Sequence, residues 1–170
     1  MATPRLIANL RSFVLPLTAA GVVPAVLLAQ IGWAPALASV RPARAAAVAL
    51  VAAAGLALLV WTVTLFIRVG RGTLAPWDPT RRLVVRGPYA HVRNPMITGV
   101  LAILIGQAIA FGAWPLWEWA AAFLAINHVY FMASEEPGLG RRFGAEYDEY
   151  KRNVPRWMPR VRAWHPRASA

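Results

Sequence analysis

Apolar residues in this chain fall into four long runs, with charge concentrated in the stretches between them. A hydrocarbon core about 30 Å thick takes roughly 20 apolar residues of helix, and all four runs meet or approach that length. The first extends from about Ser12 to Trp33 and contains Pro16 and Pro24, which predict a bend. The second, about Ala43 to Ile67, carries Ala45, Ala49, Ala53 and Ala57 at four-residue spacing, a small-residue stripe suited to close helix packing. The third runs from Pro95 to Phe111, with its proline in the first turn, where a missing N–H costs nothing. The fourth covers about Trp114 to Ser134, and Trp114, Trp117 and Trp119 predict an interfacial aromatic belt. Only Gly112-Ala113 separates the last two, which predicts a tight antiparallel hairpin. The expected architecture is all-α: one polytopic membrane domain over 1–170, with four transmembrane helices and a helical tail.

Charge sets the sidedness. The connection from Arg68 to Arg93 holds six arginines, the tail from Gly138 holds eight Lys or Arg, and the turn between runs three and four holds none. By the positive-inside rule the connection and tail are cytoplasmic, and four spans then place both termini inside. Arg41 and Arg44, against Arg5 and Arg11, leave the count across the first run even. That run also has the look of a signal peptide, with Ala36-Leu37-Ala38 as its cleavage site, although it is long for an h-region. The segment from Trp164 to Ala170 reads as a frayed tail.

Composition agrees with a membrane protein: 58% hydrophobic and 15% charged, with mean hydropathy +0.47. The absence of cysteine excludes disulfides, thiolate metal sites and cysteine nucleophiles. The three histidines make no metal-ligand pattern, so no metal is expected. Net charge is +11, but the basic residues flank apolar runs, which points to anionic lipid headgroups rather than nucleic acid. The Ala- and Arg-rich usage, with Lys151 the single lysine, hints at a GC-rich bacterium and hence an inner membrane.

Two polar clusters stand at one membrane face. Gly87-Pro88-Tyr89-Ala90-His91-Val92-Arg93-Asn94-Pro95 precedes the third run, and Glu135-Glu136 ends the fourth. Taken singly, these are also an ordinary turn, a helix start and a solvated helix end. Three blocks in order make a stronger pattern: Val85 to Tyr89 with Arg93-Asn94-Pro95; Glu135-Glu136 with Leu139; and Phe143 to Tyr150 with Val154-Pro155-Arg156-Trp157. From Leu83 to Arg160 the chain resembles the isoprenylcysteine carboxyl methyltransferase and phospholipid methyltransferase superfamily of integral membrane enzymes.

The resemblance implies transfer of a methyl group from S-adenosylmethionine. By the family pattern Leu83, Val84, Tyr89, Asn94, Pro95, Met96, Ile97 and Glu135 match cofactor-contacting positions. His91 and Arg93 lie in the same motif, Glu136 is the second acid, and Tyr147 and Tyr150 are tail aromatics expected to close over the cofactor. The residue chemistry fits: an acid for an ammonium or ribose hydroxyls, and Arg or helix-start N–H groups for a carboxylate. Where the acceptor must lose a proton, His91, His128 and Glu136 are candidate bases, and an apolar site would raise the pKa of such a Glu. Asn127 and His128 are polar within the fourth run, and His128, Met132 and Glu135 share a helical face leading from cofactor to substrate. Two departures stand out. Ile97 occupies a position where many relatives have Tyr, and Phe131 one where the prenylcysteine branch has Arg, so the family name does not supply the acceptor. An apolar or amphiphilic acceptor arriving from the bilayer is expected. The other readings are an NADPH-dependent membrane reductase of related architecture and a non-enzymatic lipid-binding scaffold.

Overall fold

The computed structural model describes residues 14–32, 42–70 and 81–166. Arg5, Arg11, Arg41, Arg71 and the Ala36-Leu37-Ala38 segment lie outside them. All regular structure among the described residues is helical. Helix α1 is Val14–Gln30, α2 is Pro42–Leu65, α3 is Pro95–Phe111 and α4 is Trp114–Tyr130. Two short helices follow, α5 over Glu136–Phe143 and α6 over Ala145–Asn153. One helix, Ala45–Gly70, is long and apolar enough to cross a membrane by itself; α1 and α3 are shorter apolar helices.

Three helices are interrupted by π turns: Thr18–Val22 in α1, Phe66–Gly70 after α2 and Phe131–Glu135 after α4. The first lies between Pro16 and Pro24, where the sequence predicts a bend. Pro24 has no N–H to give to Ala20, and Val23 N–H turns to Thr18 O instead of Ala19 O. Both released carbonyls are taken by neighbouring helices: Gln107 Nε2 donates to Ala20 O and Trp119 Nε1 to Ala19 O, each at 2.8 Å. Trp119 therefore faces the bundle, while Trp114 and Trp117 are exposed as an interfacial belt requires.

Helices α2 and α3 pack through glycine rather than through the alanine stripe. A Cβ on Gly55 would stand 2.7 Å from Gly99 O, and one on Gly99 would stand 2.9 Å from Gly55 O, so neither position has room for a side chain. Ala45, Ala49, Ala53 and Ala57 are all exposed. Spacing marked a small-residue face on α2, but Leu59 and Val63 of another face enter the core with Val100, Leu104, Ala120 and Phe123. The hairpin between α3 and α4 is as predicted: Gly112 caps α3 in the left-handed region at φ 63°, and Ala113 is extended. A belt of exposed apolar side chains, including Leu15, Leu50, Leu56, Trp61, Ile126 and Val129, surrounds the bundle.

The tail is not frayed at Trp164. Residues 154–164 run back antiparallel to 90–93: Arg93 N donates to Pro155 O (2.9 Å), Arg160 N to His91 O (3.0 Å) and Trp164 N to Ala90 O (2.9 Å). The Trp164 ring also packs on Tyr150, with centroids 5.9 Å apart.

Candidate functional site

The motif before α3 folds as a 3-10 turn, Gly87–Ala90, entered through Gly87 at φ 57°. The turn buries Tyr89 against Phe66, ring centroids 5.2 Å apart, and aims Arg93 at the end of α4. There the two glutamates take different roles. Arg93 Nη1 donates to Glu136 Oε1 at 2.8 Å, Arg156 Nε donates to the same oxygen at 2.7 Å, and Lys151 Nζ lies 3.3 Å from Oε2. Motif, helix end and tail therefore meet on one carboxylate.

The π turn decides which glutamate this is. Four residues beyond the buried Phe131, an uninterrupted α-helix would bring Glu135 to the buried face. The wider turn advances that face by five, with Glu136 N donating to Phe131 O, and Glu136 is buried. The same offset breaks the expected face of His128, Met132 and Glu135: Met132 is exposed, and His128 and Glu135 are half-buried. It also overturns the expected pKa of Glu136. Burial pushes that carboxyl up, but the hydrogen bond from Arg156, the Arg93 charge and Lys151 outweigh it and hold it below the ordinary value. The rise falls on Glu135, pushed up to about 7 by burial and by the Glu136 charge. Among the described residues Glu135 makes no hydrogen bond or ion pair.

Other polar groups nearby also lack partners. Arg93 Nε is buried with no acceptor among the described residues. Asn94 stands at the N-cap of α3 but its side chain makes no capping bond. The Met96 and Ile97 N–H groups lie in the first turn, where no intrahelical acceptor exists. Tyr150 Oη donates to Tyr89 O at 2.8 Å, and Tyr147 and Tyr150 pack with Val85 and Val154 under the tail. Burial raises Tyr89 well above its usual value and Tyr147 to about 12, and raises Tyr150 too, so all three phenols stay protonated. Val84 is buried, while Leu83 lines a cavity of about 270 Å³ with Val69, Val85, Arg86, Glu146, His165 and Pro166. None of the other predicted site residues lines that cavity.

The two candidate histidines differ in which nitrogen is engaged. His91 Nδ1 lies 2.8 Å from Arg160 O. A carbonyl only accepts, so Nδ1 carries a proton, and in the neutral ring Nε2 holds the lone pair. At His128 the order is reversed: Trp157 Nε1 donates to Nδ1 at 3.0 Å, which occupies the lone pair a base would use. Asn127 Nδ2 donates to Phe123 O one turn back. Sequence reasoning missed Lys151, Arg156, Trp157 and Arg160 as individual site residues. Arg156 and Trp157 had a signal in the block Val154-Pro155-Arg156-Trp157, which marks a turn but not what it touches, while Lys151 and Arg160 lie outside that block.

The donor set suits S-adenosylmethionine: an unpaired carboxylate for a cation, and an open helix start with an uncapped Asn for a carboxylate. No curated protein and no solved structure matches this chain. A family model described as phospholipid methyltransferase matches residues 43–146, more than half the chain, from α2 to the start of α6. With the motif and both glutamates inside that span, the chain belongs to the phospholipid methyltransferase family.

Proposed function

We propose that the chain transfers a methyl group from S-adenosylmethionine to an apolar or amphiphilic acceptor that arrives from the bilayer. The observation that carries this reading is the unequal glutamate pair. Glu136 is saturated by three cations, while Glu135 beside it has none among the described residues. A carboxylate kept partly desolvated and unpaired is costly unless a cation joins it.

When bound, the cofactor supplies a methyl group on a sulfonium, already an activated leaving group. The residues of this chain bind, orient and exclude water. Glu135 accepts hydrogen bonds from the ammonium or the ribose hydroxyls. The Met96 and Ile97 N–H groups and the Asn94 side chain hold the carboxylate at the α3 start. Leu83, Val84 and Tyr89 supply apolar surface for adenine. Glu136 orients Arg93 and ties down the tail, and the tail with Tyr147 and Tyr150 excludes water. His91 takes up a proton at Nε2 where the acceptor must lose one.

In this reading four helices span an inner membrane, with both termini and the site on the cytoplasmic side. The exposed apolar belt supports it, as does α4 continuing through its π turn past Ser134, with the glutamate pair just beyond the span. At about 1.5 Å per residue, α1 and α3 span about 25 Å, close to a hydrocarbon core. Arg81, Arg82 and Arg141, all exposed, would meet anionic headgroups. The test is calorimetric titration of the detergent-purified protein with S-adenosylhomocysteine. Saturable one-to-one binding, lost in Glu135→Ala, supports the reading. A folded protein that binds none in detergent or in nanodiscs overturns it.

A further inference from the structure

Trp157 belongs to the tail, yet its indole reaches into the main helix core. It meets Phe131 edge-to-face with centroids 6.0 Å apart and sits 6.1 Å from the His128 ring. Its N–H is a donor and nothing else, so the 3.0 Å contact fixes His128 Nδ1 as the acceptor. A neutral imidazole that accepts at Nδ1 carries its proton at Nε2. A doubly protonated ring would set two donors against each other.

That Nε2–H has no partner among the described residues, and it is not among their buried unpaired polar atoms, so it opens outward. The helix face around it is apolar: Ala125 one turn back and Met132 one turn on are both exposed. With α4 read as a span, an N–H facing hydrocarbon costs free energy until an acceptor arrives from the bilayer.

We propose that Trp157 is a positioning residue that makes His128 a hydrogen-bond donor, through Nε2–H, to an oxygen of a lipid-soluble ligand. This rests on the methyltransferase reading in taking that ligand to be the methyl acceptor. It narrows the acceptor class to amphiphiles with an accepting oxygen (carbonyl, carboxylate, phosphate or hydroxyl) about two helical turns above the glutamate pair. His128 then orients the substrate, and the proton-accepting role stays with His91. The Arg156–Glu136 ion pair anchors the residue before Trp157.

The test uses the full chain labelled with nitrogen-15 in histidine, in dodecyl maltoside micelles, whose tails carry no oxygen. The chain has three histidines, and His128 is assigned by the signal that disappears in His128→Asn. The expected result is a single neutral Nε2–H tautomer in the wild type. Methyl palmitate, an acceptor without donors, should move that proton downfield, and hexadecane should not. Trp157→Phe keeps the ring but not the N–H. It should give mixed tautomers and weaken the response to methyl palmitate about fivefold or more. An Nδ1–H tautomer, a charged ring or an equal response to hexadecane in the folded wild type overturns the proposal, whether or not the variant folds. If S-adenosylhomocysteine does not bind while His128 behaves as described, the methyltransferase reading falls and the oxygen-binding site stands.

Discussion

Arg93 and Glu136, 43 residues apart, meet at 2.8 Å, with side chains 11% and 9% exposed. This ion pair joins the motif before α3 to the end of α4, and Arg156 adds the tail on the same oxygen. Removing one member of so buried a group leaves charge without compensation, a loss of about 3–5 kcal/mol. Glu136→Gln should therefore lower thermal stability in detergent markedly. Lys151→Ala should barely change it, because the Lys151 side chain is 48% exposed. Equal melting temperatures for Glu136→Gln and the wild type would contradict the anchoring role.

Glu135 should show the opposite profile. Its carboxyl is disfavoured as an anion in the folded protein, so Glu135→Gln should keep or raise stability without ligand. Binding of S-adenosylhomocysteine should still fall about tenfold or more, because a charge-assisted hydrogen bond is lost. Calorimetry beside a melting curve separates the two glutamates, and parallel losses in both variants would show that they act alike.

The raised value at Glu135 also gives a pH dependence with a definite sign. Its folded pKa of about 7 exceeds the ordinary 4.5. This contribution to stability is fully present below about pH 4.5 and is lost as pH rises through 7. Affinity for the cationic cofactor should run the other way, rising over the same interval as the anion forms. Comparing wild type with Glu135→Gln from pH 5.5 to 8.5 isolates this term, and identical profiles would remove Glu135 as its source.

The crossing of α2 and α3 predicts a steric asymmetry among glycines. Gly55→Ala and Gly99→Ala each drive a methyl into the facing backbone carbonyl and should lose about 1–3 kcal/mol. At Gly106 the nearest atom to an added Cβ is 3.7 Å away, an ordinary contact, so Gly106→Ala should be tolerated. Melting curves of the three variants check the order.

Docking of α1 depends on the carbonyls its π turn releases. Trp119→Phe leaves Ala19 O unpaired and Gln107→Leu leaves Ala20 O unpaired, each losing about 1–3 kcal/mol. Both variants should make α1 more accessible to limited proteolysis. Unchanged cleavage would mean that apolar packing of Leu28 with Ala108 and Leu116 suffices.

Much of this protein was legible one residue after another. Apolar runs located the helices to within a turn, because helix length and composition are local properties. Gly112 and Pro95 marked the hairpin and the start of α3, because backbone conformation is local too. The blocks around Arg93, Glu135 and Tyr147 announced a site, and the family match spans the first two. What sequence periodicity could not supply was phase. A single π turn adds one residue to a turn, which exchanges Glu135 for Glu136 on the buried face and moves Met132 off the expected one. The alanine stripe failed for a related reason: spacing shows which residues share a face, while packing chooses the face, and Gly55 against Gly99 outweighed four alanines. Only the tertiary structure decided which nitrogen of each histidine is engaged, because Arg160 and Trp157 reach His91 and His128 from a tail far along the chain.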